Sequence, residues 1–203
     1  IAVQEELVQQ GIEVLTETAV SSIQDVTNDG VKVITKAGDT FNFDAILIAT
    51  GRKPAIESLR LWNTAIKLNE SGGIWTNDYL RTTVDHVFAL GDVRGEEQFT
   101  YTSLDDARII DSYLYGNQDY NLKSRQNLPY SIFINPPFAR VGMTEAEALA
   151  ANLDIRTNIL PVVKMPRAHV TGDLRGVFKA VIAKHSNQIL GASLFGAQAH
   201  EII

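Results

Sequence analysis

Two features of the sequence could together grip a polar ligand. One is the carboxylate of Asp92, directly after the apolar run Val87-Phe88-Ala89-Leu90 and Gly91; the other is the stretch from Thr100 to Ser103, which opens a helix. Open α/β sheets place ligands just past the carboxyl ends of buried strands, and an acidic group there can accept hydrogen bonds from polyol or ribose hydroxyls. The first amides of a helix have no intrahelical partner and its dipole favours negative charge, which suits an electron-rich ring carbonyl. The same residues have a plainer reading, in which Asp92 ends a strand through a local turn and Thr102 merely caps. Spacing alone leaves both open. Other chemistry is thinly represented. The chain has no cysteine, which removes thiol nucleophiles, disulfides and Cys-ligated metals. His86, His169, His185 and His200 show neither i, i+4 pairing nor an acidic cluster suited to a metal, so none is expected. Lys164, Arg167, His169 and Arg175 form a basic cluster that reads as a solvated face or a surface for an acidic partner. Trp62, Trp75, Tyr113 and Tyr115 read as packing or interface residues.

The elements that must position these groups follow from periodicity and turn chemistry. Val3, Leu7 and Val8 followed by Gly11 predict a short helix with a left-handed stop. Strands are expected over Val20 to Val26 and Val31 to Thr35, joined by a tight Asn28-Asp29-Gly30 turn, and then at Phe41 and Phe43 after Ala37-Gly38-Asp39. The continuous apolar run Ala45 to Ala49 suits a strand covered on both faces, ended by Thr50-Gly51-Arg52-Lys53-Pro54, and Val87 to Leu90 suits a second. Leu104, Ala107, Ile110 and Leu114 give a helical stripe, with Thr102 and Asp105 as its capping box and Gly116 as its stop. The polar stretch Asn117 to Asn127 reads as a connection between domains. Beyond it, Tyr130 to Val141 is a strand interrupted by Pro136 and Pro137, and Thr144 with Glu147 caps a short helix. Ile155 to Val163 is a further strand. Val177 to Lys184 and Ile189 to Phe195 form a hairpin leading into a helix start at Ala197 to Ile203.

Composition narrows the function classes. With 203 residues, 45% apolar and 21% charged, the chain is ordinary globular material of one to two domains. A net charge of −6 gives no basic field for phosphate backbones or anionic lipid, so neither nucleic acid nor membrane is an expected partner. No apolar stretch approaches bilayer length and Ile1 to Gln10 carries no basic leader, so a cytoplasmic location is the default expectation. The start at Ile1 without methionine and the stop at Glu201-Ile202-Ile203 in mid-helix lead us to expect a fragment.

Longer stretches are more specific. Ala49-Thr50-Gly51-Arg52-Lys53-Pro54, then Thr82 through Val87-Phe88-Ala89-Leu90-Gly91-Asp92-Val93, resembles the paired flavin-domain signatures of the class I pyridine nucleotide–disulfide oxidoreductases. The resemblance continues through Phe133 to Glu145, which looks like the opening of that family's interface domain, and through Gly191-Ala192-Ser193 to Ile203. Met165-Pro166-Arg167-Ala168 and Asp173-Leu174-Arg175-Gly176 look like the mercuric reductase branch. Phe99 to Asp106 and Leu128 to Ser131 are similar to its reactive-chlorine-resistance and hypothiocyanous acid reductase members.

The resemblance implies an α/β plus α+β fold: partial Rossmann-like nucleotide-binding domains, then an α+β dimerisation domain with an antiparallel sheet. Residues 1–50 would be the C-terminal part of an NAD(P)H-binding domain, 51–126 the returning part of an FAD-binding domain, and 127–203 the dimerisation domain of a homodimer. The implied cofactor-binding residues are Thr50, Gly51, Arg52, Gly91, Asp92 and Thr100. Asp92 would bind the flavin ribitol hydroxyls and the Thr100 amide would face the pyrimidine carbonyl, where negative charge gathers on reduction. Gly51 would allow close backbone approach, and Arg52 is either a neutraliser of nearby anionic charge or a solvated loop charge. The family's glycine-rich fingerprints, redox cysteine pair and C-terminal His and Glu partners have no counterpart here. The chain alone is therefore expected to hold little FAD or NAD(P)H and to catalyse nothing, while the intact parent passes electrons from NAD(P)H through FAD and a cysteine pair to a small-molecule acceptor. Two alternatives stay open: a non-catalytic dimerisation or scaffold module of the same fold, and a flavin-dependent reductase without the disulfide.

Overall fold

Residues 2–26, 30–125 and 127–203 are described by the computed structural model. They resolve into two compact units, Ile1–Leu47 with Asn127–Ile203, and Ile48–Gln126.

The first unit begins with helix α1 (Ala2–Gln9), which ends where Gly11 takes a φ of +83°, a conformation open to glycine at no steric cost. Strands β1 (Val20–Val26), β2 (Gly30–Thr35) and β3 (Thr40–Phe43) form an antiparallel sheet in that order. The central strand carries the burial, with Val33 and Thr35 inside, and the period-2 alternation stacks Phe41 on Phe43 with ring centroids 6.1 Å apart. Between β2 and β3 the Thr35 amide donates to the Asp39 carbonyl at 2.9 Å around Gly38. Asn28 and Asp29 of the expected first turn lie outside the described residues.

Two of the expected strands do not form among the described residues. Ala45 to Ala49 forms no strand, and Leu47 is 90% and Ile48 66% exposed. Apolar sequence expresses a preference for burial but cannot supply the neighbouring ladder, and among the described residues no strand pairs with this run. Val87 to Leu90 is likewise reduced to a single antiparallel bridge, Arg81 with Phe88, although Ala89 is buried. Helix α2 (Thr100–Tyr115) forms over the expected range. Its cap differs: Phe99 is the N-cap residue and Thr102 sits at the third helical position, its hydroxyl accepting from the Phe99 amide. Its face differs too. Thr102, Asp106 and Ile109 are buried, whereas Leu104 is 63% and Leu114 49% exposed. Ion pairs satisfy Asp106, so a mixed stripe of Thr102, Asp106 and Ile109 is buried in place of the expected apolar one. At the far end Tyr113 packs on Tyr79 and Phe88, with the Arg81 guanidinium 5.7 Å from its ring.

The chain then returns to the first unit. β4 (Tyr130–Ile132) and β5 (Phe138–Gly142) are the two arms around Pro136 and Pro137, paired antiparallel. Helix α3 (Glu145–Ala150) has a complete capping box: the Thr144 hydroxyl accepts from the Glu147 amide at 3.1 Å, and the Glu147 carboxylate accepts from the Thr144 amide at 2.6 Å. β6 (Ile155–Pro161) stops two residues earlier than expected, because Val162–Lys164 turns as a 3-10 helix. Helix α4 (Pro166–Thr171) starts with proline at its first position and ends at Gly172, φ +75°. β7 (Val177–Ala183), β8 (Ile189–Phe195) and α5 (Ala199–Ile202) complete the chain. The five strands form an antiparallel sheet in the order β4-β5-β8-β7-β6, with a core at Ala139, Leu194 and Ala199 against Phe178 and Ile203. Arg175, read as part of a basic cluster, is instead neutralised: it bonds Asp173, Asn135 and Glu6 of α1.

Candidate functional site

The site grows from one turn and one helix start within Ile48–Gln126. Residues Gly91–Arg94 form a 3-10 turn, entered through Leu90 in extended conformation and left at Gly95, φ +68°. Gly91 itself has φ +68°, and a Cβ there would come within 2.6 Å of the Ser103 hydroxyl, so turn and helix approach as closely as glycine permits. This places Asp92 beside the first turn of α2. Arg52, Leu90, Gly91, Asp92, Gln98, Thr100 and Ser103 line one cavity of about 390 Å³. An adjoining hollow of about 270 Å³ shares Arg52, Asp92 and Gln98 and extends toward Lys53, Pro54, Ala55 and Val93.

Four of the six expected site residues, Arg52, Gly91, Asp92 and Thr100, thus meet around one space. Thr50 and Gly51 precede Arg52 as exposed loop residues and do not line it. Gly51 has φ +106° and, among the described residues other than its chain neighbours, no atom within 4 Å of where a Cβ would stand. Arg52 is not merely a solvated charge: Nη1 lies 3.6 Å from the Asp92 carboxylate and Nη2 donates to the Gln98 carbonyl at 3.1 Å. Both partners of that ion pair are more than half exposed, so it contributes at most about 1 kcal/mol and leaves the carboxylate free to accept further hydrogen bonds. Opposite it, Thr100 is the first helical residue, where amide and dipole present positive charge.

Beneath the cavity lies a network that sequence reading missed. The Asp106 carboxylate accepts from the Gly91 amide at 2.7 Å, pairs with Arg125, and stands 3.7 Å from Arg94. Arg94 also donates to Thr76 at 3.2 Å and pairs with Glu96. Asp105 accepts from Arg125 at 2.7 Å and from the Tyr120 hydroxyl at 2.8 Å. Burial pushes the Asp105 carboxyl up, and the Arg125 and Tyr120 hydrogen bonds outweigh it, holding the group below its ordinary value. The available signal was the spacing of Thr102, Asp106 and Ile109, which puts an acidic residue on one helix face with a hydroxyl and an isoleucine. Among the described residues no group of three or more acidic or histidine side chains could hold a metal ion, and no helix is long and apolar enough to cross a membrane.

Comparison with known families and proteins bears on what this arrangement serves. Residues 2–108 match the family described as "Pyridine nucleotide-disulphide oxidoreductase", and residues 128–203 match its dimerisation domain. The chain belongs to the pyridine nucleotide-disulphide oxidoreductases. Among curated members, the probable pyridine nucleotide-disulfide oxidoreductase RclA of Escherichia coli (strain K12) is 48% identical over 160 residues, 79% of this chain and 36% of its own length. A mercuric reductase of Staphylococcus aureus is 30% identical over 204 residues, covering 100% of this chain and 37% of its own. Among solved structures, the HOCl-induced flavoprotein disulfide reductase RclA from E. coli superposes with a TM-score of 0.91 at 40% identity, over 99% of this chain and 46% of that one. The chain therefore spans less than half the length of these oxidoreductases. The matched regions are mixed helix and strand with two antiparallel sheets, and the second matched region contains the five-stranded sheet.

Proposed function

We propose that these residues form the flavin-edge and dimerisation parts of an FAD-dependent NAD(P)H:disulfide oxidoreductase, or of a close variant reducing a thiol oxidant or metal ion. The observation that carries the reading is the shared cavity of Asp92, Arg52 and the α2 N-terminus. The donor set fits one end of FAD. A carboxylate supplies acceptors for ribityl hydroxyls, a helix start supplies positive charge for the pyrimidine carbonyls, and Gly51 leaves room for close approach. When bound, the flavin supplies the two-electron chemistry between nicotinamide and disulfide. The residues here bind it and stabilise charge: Asp92 anchors the ribityl chain, Thr100 faces the ring edge, and Arg52 offsets anionic charge nearby. In this reading residues 1–50 belong to the NAD(P)H-binding domain, 51–126 to the FAD-binding domain and 127–203 to the homodimer interface, with a small-molecule electron acceptor as substrate. The 203 residues contain no cysteine, so by themselves they are expected to reduce no disulfide.

The surface available for a homodimer lies beside the β7–β8 hairpin and not on its buried residues. Those two strands are central, and Val181, Ile182, Leu194 and Phe195 are already buried within the chain. Ile159 and Leu160 on β6 and Val170 on α4 are 60%, 45% and 75% exposed and supply apolar surface for a second copy.

The test is flavin retention. In the intact protein that carries these residues, Asp92→Ala weakens FAD binding about tenfold to a hundredfold, the value of hydrogen bonds to a charged acceptor. Gel filtration followed by flavin absorbance then shows depleted occupancy. Wild-type protein that never holds FAD, or an Ala variant with unchanged occupancy, overturns the reading, and the former outcome favours a non-catalytic dimerisation module.

A further inference from the structure

The buried carboxylate beneath the cavity touches neither the cavity lining's free surface nor solvent, yet it bonds the residue immediately before Asp92. Asp106 is 1% exposed in its side chain. One oxygen accepts from the Gly91 amide at 2.7 Å, while the other pairs with Arg125, itself 10% exposed. Arg94, at the end of the same turn and 4% exposed, stands 3.7 Å from the first oxygen. The 3-10 turn Gly91–Arg94 is thus held at both ends by one side chain, and that side chain is rooted in the second turn of α2, whose first turn lines the cavity.

We propose that Asp106 is a positioning residue for the flavin site, fixing the Asp92 carboxylate against the N-terminus of α2 through the Gly91 amide and the Arg94 side chain. The proposal rests on the flavin reading above. A ligand that spans carboxylate and helix start needs both in register, and a displacement of about 1 Å at such a constellation is enough to lose much of its affinity. A backbone amide donor aimed at a buried carboxylate makes a directional, charge-assisted bond, whereas the exposed Arg52–Asp92 pair cannot supply that rigidity.

The geometry also says which variants keep the fold. Removing the Asp106 carboxylate leaves Arg125 with Asp105 and Arg94 with Glu96, so neither arginine is stranded without a carboxylate. Asp106→Asn keeps the volume and an acceptor for the Gly91 amide. The experiment measures FAD dissociation constants by titrating flavin-stripped intact protein, for wild type, Asp106→Ala, Asp106→Asn, Asp92→Ala and the Asp92→Ala/Asp106→Ala double variant. Asp106→Ala is expected to weaken FAD about tenfold and to shift the bound-flavin absorbance spectrum, and Asp106→Asn to recover most of that affinity. Because Asp106 acts through Asp92, its removal adds little further loss when Asp92 is already alanine. Unchanged affinity and spectrum in both Asp106 variants, or equal losses in the two backgrounds, overturns the positioning role. Failure of wild-type protein to bind FAD overturns the flavin reading itself, a separate and distinguishable result.

Discussion

Gly51→Ala separates the cost of a strained backbone from contact with a ligand. Gly51 has φ +106°, so an alanine there is strained in folded protein whether or not anything is bound. The strain costs roughly 1–3 kcal/mol of stability. Among the described residues other than its chain neighbours, no atom lies within 4 Å of the added methyl, so no packing term joins the strain. Gly38, in the turn between β2 and β3, is the matched control, with φ +96° and an equally empty surrounding. The two substitutions should therefore lower the melting temperature of flavin-free protein by similar amounts. FAD binding should tell them apart. Strain present in both free and bound protein cancels from the dissociation constant, so only a methyl that meets the ligand can raise it. If the flavin occupies the open side of Gly51, the overpacked contact costs about 1–3 kcal/mol, roughly a five- to 150-fold rise in dissociation constant. Gly38→Ala leaves that constant unchanged. Titration of flavin-stripped intact protein with FAD, alongside thermal melts, gives both quantities. Equal dissociation constants for wild type and Gly51→Ala would refute the placement of the cofactor against this loop.

Two further outcomes concern stability. Leu194, 9% exposed and packed with Ala139 and Ala199, should lose about 2–5 kcal/mol on truncation to alanine, measured by denaturant unfolding of the five-stranded sheet region. Asp105 is held below its ordinary value of 3.8, so its contribution is present above that pH and is lost as pH falls through the lowered folded value. Arg125→Met should flatten this acid limb of the stability profile in thermal melts, and a limb as steep as that of wild type would refute the assignment.

How much of this was readable in the chain depended on whether the deciding interaction was local. The β1–β2–β3 meander, the α3 capping box and the β7–β8 hairpin are specified within a few residues by alternation and turn chemistry, and each formed. Pairing of Ala45 to Ala49 is not local: five apolar residues announce that they want neighbours but cannot say where the ladder comes from, and no strand pairs with them among the described residues. The inward face of helix α2, unlike its span, differs from expectation for a related reason. Its apolar stripe was legible, but the face that turned inward was chosen by Asp106 with Arg94 and Arg125, partners 12 and 19 residues away by their numbers in the chain. Arg125 stood in a polar stretch that reads as a connector, with nothing nearby to announce a buried ion pair. Asp92 and Thr100 stand out in the sequence because a Gly-Asp turn and a helix start are signalled locally. Their convergence on one cavity is a property of the turn between them and of the buried carboxylate under it.

That convergence also restricts what the cavity can accept. A helix start alone attracts anions, and a phosphate or sulfate would be its natural occupant. Here a carboxylate lines the same space, with the Arg52 guanidinium 3.6 Å away and largely in solvent. A compact anion placed between them would gain at the Thr100 end and be repelled at the Asp92 end. A ligand with hydroxyl donors at one end and carbonyl acceptors at the other gains at both. The ribityl chain and pyrimidine edge of a flavin have that polarity in that order, and a nucleotide phosphate does not. Under the proposed flavin reading the role of Asp106 follows the same logic: keeping acceptor and donor at opposite ends of one ligand requires Asp92 to stay in register with the start of α2. In the proposed flavin reading, a preference for a polar but uncharged segment is what links the proposed role of Asp106 to the cofactor.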